Sequence, residues 1–403
     1  MIRRPVTALG MSMGLQVVAA AIFTATAVIA PALPPSLGLD RSGLGIFGAL
    51  TFAGATLGSP VAAAYMARFG PVRLIQAGLV FSALSLAILY TEIGFLGFAA
   101  AILIGLGYGP NAPGGSYMLA RHTPPDRRGL IFSIKQAGVP AGGVLIGIVI
   151  PLVEANHGWR AAIAVVIATG VATALLAQPW RGRMDDDRVR PAAGSRVRIG
   201  DMFPLRALSE HPMLPLIAMM SFAYGCGQMI VMTYTVTFLV EEVHLDLVAA
   251  GAAFSAAQIS SFVVRIASGW LNDRLRRPRA MLSSFGIVAC IGLGSLSFAG
   301  PETSYAMIVV LAAICGAGAA GWNGVYLAEV AAMVPPDRVA AATAATVSCT
   351  YFGLVVGPAA FSVILAVWDF STAYAGLAVF AGLAGLIIFL PLGGRDSAGQ
   401  AER

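Results

Sequence analysis

The stretch 261–279, SFVVRIASGWLNDRLRRPR, has the form of a membrane-spanning helix with one internal cation and a charged end. Arg265 lies inside a long apolar run, and Asp273 opens a cluster of arginines where that run stops. An arginine inside a bilayer costs roughly 2.5 to 3.5 kcal/mol on insertion scales, so such residues usually face a cavity or a partner. Arg265 is therefore the first candidate for a functional residue.

The composition around this stretch is that of an integral membrane protein. Of the 403 residues, 58% are hydrophobic and only 11% are charged, which is too apolar for a soluble domain. Apolar stretches of about 20 residues, each long enough to cross a bilayer as a helix, predict an all-α protein with twelve transmembrane helices. The predicted helices lie near 8–31, 43–66, 73–91, 95–120, 129–152, 160–179, 212–239, 248–271, 280–299, 304–331, 339–367 and 371–391.

The positive charges predict the orientation of these helices. Of the 25 Lys and Arg residues, 21 lie in the two tails and in alternate loops on one side, whereas Arg41 and Arg160 lie on the other side. The remaining two, Lys135 and Arg265, lie within helices. Because cytoplasmic loops are the positive ones, we expect both termini to be cytoplasmic. The net charge of +6 thus follows the membrane, and we expect no nucleic-acid partner.

The chain contains an internal repeat. The sequence PPDR at 124–127 recurs 211 residues later at 335–338, within longer segments that resemble each other. A second pair, 62–73 and 268–279, follows predicted helices two and eight. Repeats of this length indicate that the fold is built from two similar halves.

The repeat predicts two pseudo-symmetric six-helix bundles, 1–179 and 212–391. Between them, 180–211 is hydrophilic, with three consecutive aspartates at 185–187 and seven arginines. We interpret it as a cytoplasmic linker whose charges are solvated and carry no specific chemistry. The last segment, 392–403, is predicted to be a cytoplasmic tail.

The turn after predicted helix eight has the pattern G-x-L-x-D-R-x-x-R. Its residues are Gly269, Leu271, Asp273, Arg274 and Arg277. With this turn, twelve helices, the 6+6 repeat and the central linker, the chain resembles the carriers of the major facilitator superfamily along nearly its whole length. In the first-half copy of the turn Ala67 stands where the family usually has Asp. The family residues kept in that copy are Arg68, Gly70 and Arg73.

The resemblance implies two bundles that rock around a central site and expose it alternately to each side of the membrane. It also implies that the two charged turns gate this movement, with Asp273 stabilising one of the two states. Membrane topology alone also explains the same arginines, and both interpretations can hold. Together with the lack of an organellar targeting segment, the resemblance predicts a multi-pass monomer in the inner membrane of a bacterium, surrounded by membrane lipids.

Lys135 and Arg265 have matching depths in predicted helices five and eight. Each lies six or seven residues from the cytoplasmic end of its helix, which is about 9 to 10 Å at 1.5 Å per residue. In the fold that the chain resembles, these helices meet between the bundles, so the two cations are expected on opposite walls of one cavity. A bound anion would relieve their repulsion. The alternatives are that Lys135 snorkels to the interface and that Arg265 is a gating residue bonded to helix carbonyls.

The pattern R-x-x-x-G from Arg265 to Gly269 resembles helix eight of monocarboxylate and oxalate/formate carriers, whose corresponding arginine binds the carboxylate. We therefore predict a carrier of a small organic anion, most simply a monocarboxylate. The alternative is a drug or metabolite antiporter driven by protons. It is weaker because the glycine-proline signature at 138–143 departs from that of the antiporters by one residue.

Polar and aromatic residues on several predicted helices could complete the substrate site. These candidates are Gln16, Tyr108, Asn111, Gln136, Gln228, Gln258, Trp322, Asn323 and Tyr326. Such side chains also serve as hydrogen bonds between membrane helices. Glu329 is the one acid expected inside a helix, so it is the candidate for proton coupling, with a structural ion pair as the alternative.

An enzyme is the competing class of function. The sequence has no HExxH, GxSxG, P-loop or paired-histidine pattern, and its four cysteines show no metal-ligand spacing. We therefore expect a protein without enzymatic activity, metal or cofactor. A sensor built on a carrier fold stays open at this point, and a transport measurement would distinguish it.

Overall fold

A computed structural model of the protein describes residues 4–122, 131, 134–185, 205–275, 277–335 and 338–389, and these residues contain helices and no strand. The helices are α1 (Arg4–Ile29), α2 (Arg41–Phe69), α3 (Pro71–Ser85), α4 (Gly94–Tyr108), α5 (Asn111–His122), α6 (Gly138–Leu176), α7 (Gln178–Met184), α8 (Leu214–Glu241), α9 (Leu247–Leu275), α10 (Pro278–Leu296), α11 (Tyr305–Ala320), α12 (Asn323–Ala332), α13 (Val339–Val367) and α14 (Phe370–Leu386). The predicted all-α class is confirmed.

The described helices provide twelve membrane crossings. Eleven segments in the described ranges are long and apolar enough to cross a membrane, and one of them, Ile134–Leu176, has 43 residues, about twice the length that one crossing needs. Its helix α6 is interrupted at Gly158, where φ is 78° and ψ is 167°. Glycine adopts such a positive φ readily. The break divides α6 into the predicted fifth and sixth crossings.

The fourth and tenth crossings are interrupted at corresponding positions. α4 ends at Tyr108 and α5 begins at Asn111, while α11 ends at Ala320 and α12 begins at Asn323. Both pairs of residues are separated by 212 positions in the sequence. The repeat read from the sequence therefore also appears as a repeat of helix breaks. At such a break some backbone carbonyls lose their helical partners and become available to side chains.

The helices form two bundles that meet along two seams. α1 to α6 pack among themselves, and so do α8 to α14. Between the bundles, α2 packs against α13 and α6 packs against α9, and we call these contacts the α2–α13 seam and the α6–α9 seam. Further contacts join α8 to α1 and α2. The site described below lies beside the α6–α9 seam.

The beginning of the predicted linker is folded against the first bundle. Asp185 is fully buried and accepts hydrogen bonds from Val72 N at 2.9 Å and Arg73 N at 3.2 Å, at the start of α3. Arg181 Nε lies 3.4 Å from the same carboxylate. The first N–H groups of a helix have no helical partner, so Asp185 caps α3. The interpretation of the segment as solvated charge is therefore wrong for Asp185, and most of the predicted linker, 186–204, lies outside the described residues.

Candidate functional site

Arg265 lies buried between α9, the break that follows α11 and the residues that precede α6. Only 4% of it is exposed, and its Nε donates to Ala320 O at 3.1 Å while Nη1 donates to Gln136 O at 3.2 Å. The first bond stays within the second bundle, and the second bond crosses to the first bundle. A guanidinium has five N–H donors, so hydrogen bonds within the described part of the protein use two of them. Arg265 thus makes the carbonyl contacts of a gating residue and keeps donors for a ligand.

Lys135 is buried in the first bundle. It is 1% exposed, and its Nζ donates to Gln136 Oε1 at 3.2 Å. Its chain packs against the backbone of α5, because a Cβ added to Gly115 would lie 2.7 Å from Lys135 Cε. A lysine that snorkelled to the interface would expose its ammonium group. The structure therefore does not support the snorkelling alternative.

Gln136 joins the two cations. Its side-chain oxygen accepts from Lys135, and its backbone oxygen accepts from Arg265. Neither cation forms an ion pair with a carboxylate among the residues that the structure describes. Two buried positive charges that share a neighbouring residue are poorly screened and repel each other. The arrangement favours the entry of an anion.

A small cavity adjoins Arg265. Its volume is about 10 Å³, which is the space that about one water molecule occupies. Gln258, Ser261 and Arg265 line it from α9, and their spacing of three and four residues puts them on one face of that helix. Ser261 is 1% exposed, and its hydroxyl has no hydrogen-bond partner within the described residues. Sequence analysis missed Ser261, although its spacing of four from Arg265 was a usable signal.

Gln16 and Tyr108 form a hydrogen-bonded pair in the first bundle. Gln16 Nε2 donates to Tyr108 OH at 2.9 Å, and Gln16 Oε1 is buried without a partner in the described structure. A Cβ added to Gly138, three residues after Lys135, would lie 3.2 Å from Gln16 Cγ. Asn111 Nδ2 donates to Tyr108 O at 3.1 Å across the helix break. The structure thus places these three predicted residues together in the first bundle.

Asn323 and Gln228 belong to the same neighbourhood. Asn323 Nδ2 donates to Gln228 Oε1 at 3.2 Å and to Ala320 O at 3.4 Å. Ala320 O also accepts from Arg265. Gln228 lines the small cavity together with Gln258. The break between α11 and α12 therefore anchors both Arg265 and Asn323.

Trp322 and Tyr326 are not brought to the cavity, contrary to the expectation that they line it. Trp322 is fully buried, donates from Nε1 to Ala319 O at 2.9 Å and packs on Tyr224 with ring centres 5.5 Å apart. Tyr326 OH donates to Thr346 Oγ1 at 3.1 Å. Large aromatic side chains whose polar atoms are satisfied locally fill the space between helices. Both residues belong to the core of the second bundle.

Glu329 forms an ion pair within the second bundle. Its Oε1 lies 3.4 Å from Arg279 Nε, and the pair joins α12 to α10. Glu329 is 9% exposed, whereas the Arg279 side chain is 49% exposed. This is the structural ion pair that the alternative interpretation of Glu329 expects. The pair is accessible to water from one side.

The charged turn between α2 and α3 is shaped by Asp185. Gly70 has a φ of 86°, and a Cβ added there would overlap the carboxylate of Asp185. Arg73 contributes its backbone N–H to Asp185, and its side chain is exposed. The guanidinium of Arg68 lies 5.1 Å from the ring centre of Phe69. The turn is therefore fixed to its own bundle by Asp185.

The equivalent turn between α9 and α10 is more open. The guanidinium of Arg274 lies 5.4 Å from the ring centre of Trp270, and Arg277 is exposed just before α10. A Cβ added to Gly269 would meet nothing within 4 Å. The side chain of Asp273, the predicted gating acid, lies outside the part of the protein that the structure describes. The gating roles of both turns stay predictions.

Two helical bundles that enclose a buried charged site define a membrane carrier. Residues 13–328 match the family profile described as Major Facilitator Superfamily, and the chain belongs to this family. It is 24% identical over 314 residues to the hexuronate transporter of Bacillus subtilis, covering 75% of this chain and 74% of that protein. It is 26% identical over 394 residues to the 4-hydroxybenzoate transporter PcaK of Pseudomonas putida, covering 88% and 85%.

Solved structures show the same fold. The crystal structure of a POT family transporter in complex with 5-aminolevulinic acid superposes with a TM-score of 0.78, covering 96% of each chain, at 11% identity. The family and these similarities make the chain a multi-pass membrane transporter and not an enzyme.

Proposed function

We propose that the protein carries a small organic anion across the membrane and binds its carboxylate at Arg265 and Lys135. The supporting observation is the pair of buried cations that share Gln136 and have no described acidic partner. The planar guanidinium of Arg265 is suited to a carboxylate because it can offer two parallel N–H donors. Relatives whose names specify hexuronate, gallate and 4-hydroxybenzoate point to the same class. The simplest substrate is a monocarboxylate.

Binding and movement can be coupled through Arg265. Its Nη1 bond to Gln136 O joins the second bundle to the first. An anion that engages the same guanidinium competes with this bond or reinforces it, and so it changes the relative stability of the two bundle arrangements. A ligand shifts a conformational equilibrium only through such a difference in interaction energy. We propose rocker-switch alternating access on this basis.

The remaining parts of the proposal follow from the sequence. The bundles 1–179 and 212–391 are the moving bodies, 180–211 links them, and both termini lie in the cytoplasm of a bacterium whose inner membrane holds the protein as a monomer. The charged turns gate the movement. Glu329 is the candidate for proton symport, because its protonation would break the ion pair with Arg279.

The proposal is tested by thermal stabilisation of the purified protein with a panel of carboxylates, amines and lipophilic cations. A ligand at about 100 times its Kd stabilises the folded state by about 2.7 kcal/mol, so we expect carboxylates to raise the melting temperature of the wild type. Arg265→Gln should abolish this rise and Lys135→Met should reduce it. Arg206→Gln, a change at an exposed arginine of the described structure, is the matched control and should respond like the wild type.

Two outcomes would contradict the proposal. Stabilisation by lipophilic cations, with normal responses in the Arg265 and Lys135 variants, would make both cations structural and favour drug export. A carboxylate response that survives Arg265→Gln would place the anion elsewhere.

A further inference from the structure

The Gln16–Tyr108 pair has hydrogen-bonding capacity that the described protein leaves unused. Gln16 is 3% exposed, and its one side-chain hydrogen bond is to Tyr108 OH. Its other amide atom, Oε1, is buried without a partner among the described residues. A buried polar group without a partner costs free energy, so native proteins satisfy nearly all such groups. The amide of Gln16 therefore requires a partner from outside the described protein.

The chemistry of that partner follows from the two orientations of an amide. When Gln16 Nε2 donates to Tyr108 OH, the unused atom is Oε1, which is an acceptor. The hydroxyl proton of Tyr108 can then also be donated to a ligand. With the amide turned over, Tyr108 donates to Oε1 and two N–H donors are unused. A hydroxyl group donates one hydrogen bond and can accept two. It satisfies either orientation, whereas a carbonyl or an ammonium satisfies one of them.

The position of the pair connects it to the anion site. A Cβ added to Gly138 would lie 3.2 Å from Gln16 Cγ, and Gly138 follows Lys135 by three residues. Lys135 and Arg265 both form hydrogen bonds with Gln136, the residue after Lys135. Gln16 therefore lies beside the segment that holds Lys135, and Tyr108 is its hydrogen-bond partner there.

A second unsatisfied group lies on the opposite bundle. Ser261 Oγ is buried without a partner among the described residues, and it lines the cavity of Arg265. A serine in a membrane helix can bond to a carbonyl of its own helix, but Ser261 does not do so here. The two bundles thus each present one unsatisfied polar group near the cations.

We propose that the carried anion is a hydroxylated carboxylate, whose hydroxyl group binds to Gln16 and Tyr108 while its carboxylate binds at Arg265 and Lys135 with help from Ser261. This inference rests on the proposed anion transport and names the substrate class of that site. A site with buried polar groups discriminates strongly against an analogue that lacks the matching hydroxyl, because the protein group is then left unpaired. Gln16 and Tyr108 are accordingly the residues that determine specificity.

An unsatisfied glutamine elsewhere shows why position matters. Gln76 Oε1 is also buried without a partner in the described structure, but Gln76 Nε2 donates to Ala174 O at 2.7 Å between α3 and α6. Its hydrogen-bond partners are Ala174 and Gln178, whereas Gln16 lies against Gly138, three residues after Lys135. Gln76 therefore provides a matched control for a substitution at Gln16.

The experiment measures Kd by calorimetry for pairs of acids that differ by one hydroxyl: 4-hydroxybenzoate with benzoate, and lactate with propionate. In at least one pair the wild type should bind the hydroxylated acid about 10- to 100-fold more tightly. Gln16→Leu should reduce this ratio of dissociation constants to near one, because it weakens the binding of the hydroxylated acid. Tyr108→Phe, which removes a single oxygen atom, should reduce the ratio in the same direction. Gln76→Leu should keep the wild-type ratio.

The outcomes separate this inference from the function on which it rests. Equal affinities within both pairs, or a ratio that survives both Gln16→Leu and Tyr108→Phe, overturn the hydroxyl site while loss of binding in Arg265→Gln still supports anion transport. If no acid binds to the wild type, the proposed function fails and the hydroxyl site fails with it. If Gln16→Leu does not fold, Tyr108→Phe alone decides.

Discussion

At the predicted outer end the two bundles are in backbone contact, whereas toward the predicted cytoplasmic end a wide apolar groove opens beside their junction. In the α6–α9 seam a Cβ added to Gly251 would overlap Gly147 O. In the α2–α13 seam a Cβ added to Gly45 would overlap Pro358 O, and Ser362 Oγ donates to Ser42 O. Small residues allow membrane helices to approach this closely.

The groove has the opposite character. Its volume is about 1070 Å³, and α2 lines it from the first bundle while α8, α13 and α14 line it from the second. It begins beside Ala53 and Val355 and reaches Leu205 and Ile387 at the predicted cytoplasmic end. Almost all of its lining atoms are apolar, as suits a surface that faces lipid tails. No glycine lines it in the described part of the chain.

The difference identifies which contacts hold the described arrangement together. In the described residues, side-chain hydrogen bonds between the bundles run from Ser362 to Ser42 O, from Ser255 to Val144 O and from Arg265 to Gln136 O. The bond from Arg265 lies nearest the predicted cytoplasmic end. The bundles are therefore closed by glycine contacts at one end and joined in the middle by the hydrogen bond from Arg265 to Gln136 O. Opening of the predicted outer end must break the glycine contacts first.

The largest expected effect comes from filling the α6–α9 seam. Gly251→Ala would force the bundles apart, and overpacking of this kind costs about 1 to 3 kcal/mol, which corresponds to a shift of about 5- to 150-fold toward the outer-open state. The reporter site is Thr233, which is 2% exposed and lines a small cavity between α1, α2 and α8 toward the predicted outer end. Thr233 is replaced by cysteine in a background without Cys226, Cys290, Cys315 and Cys349. A maleimide that cannot cross the membrane should label it about tenfold faster or more in Gly251→Ala.

The control is Gly376→Ala, because a Cβ added to Gly376 meets nothing within 4 Å. It should label at the wild-type rate. Unchanged labelling in Gly251→Ala, with the protein folded, would show that the glycine contacts do not hold the outer end closed.

The sequence predicted the parts of this comparison that have local signals. Apolar stretches predicted the helices, and Arg265 and Lys135 were found because a charge is conspicuous within an apolar run. Ser261 was missed because a serine in a membrane helix usually bonds to its own helix. Asp185 was missed because its partners are 112 and 113 residues away, and no local pattern indicates so distant a contact. The expectation for Trp322 failed because composition does not distinguish an aromatic residue of the core from one of the cavity.

An intermediate effect is expected from Asp185, which stabilises the predicted cytoplasmic end within one bundle and not across the junction. Asp185→Asn weakens the cap of α3 and removes the charge that pairs with Arg181, and loss of a helix cap costs about 0.5 to 2 kcal/mol. We expect a lower melting temperature and an unchanged labelling rate at the Thr233→Cys position. Asp246→Asn, at an exposed acid that accepts from Ala249 N at 2.9 Å, should lower the melting temperature less. Faster labelling in Asp185→Asn would mean that the cap also acts on the junction.

The smallest effect is expected from the ion pairs that cross the junction at the predicted outer end. Arg41 Nε lies 3.6 Å from Glu241 Oε2, and Arg41 Nη1 lies 3.5 Å from Glu242 Oε1. The side chain of Arg41 is 46% exposed. Exposed pairs contribute about 0.2 to 1 kcal/mol, so Arg41→Gln should speed labelling at the Thr233→Cys position about two- to fivefold. The difference should vanish in 1 M salt, where the screening length is about 3 Å.

The matched control for Arg41 lies at the same end of the molecule. Arg160 forms an ion pair with Glu92 at 2.6 Å, but both residues belong to the first bundle. Arg160→Gln should therefore leave the labelling rate unchanged at any salt concentration. If both arginine variants label faster by the same factor, the effect comes from surface charge near the reagent and not from contact between bundles. The closed outer end would then depend on the contacts in the α2–α13 seam and the α6–α9 seam alone.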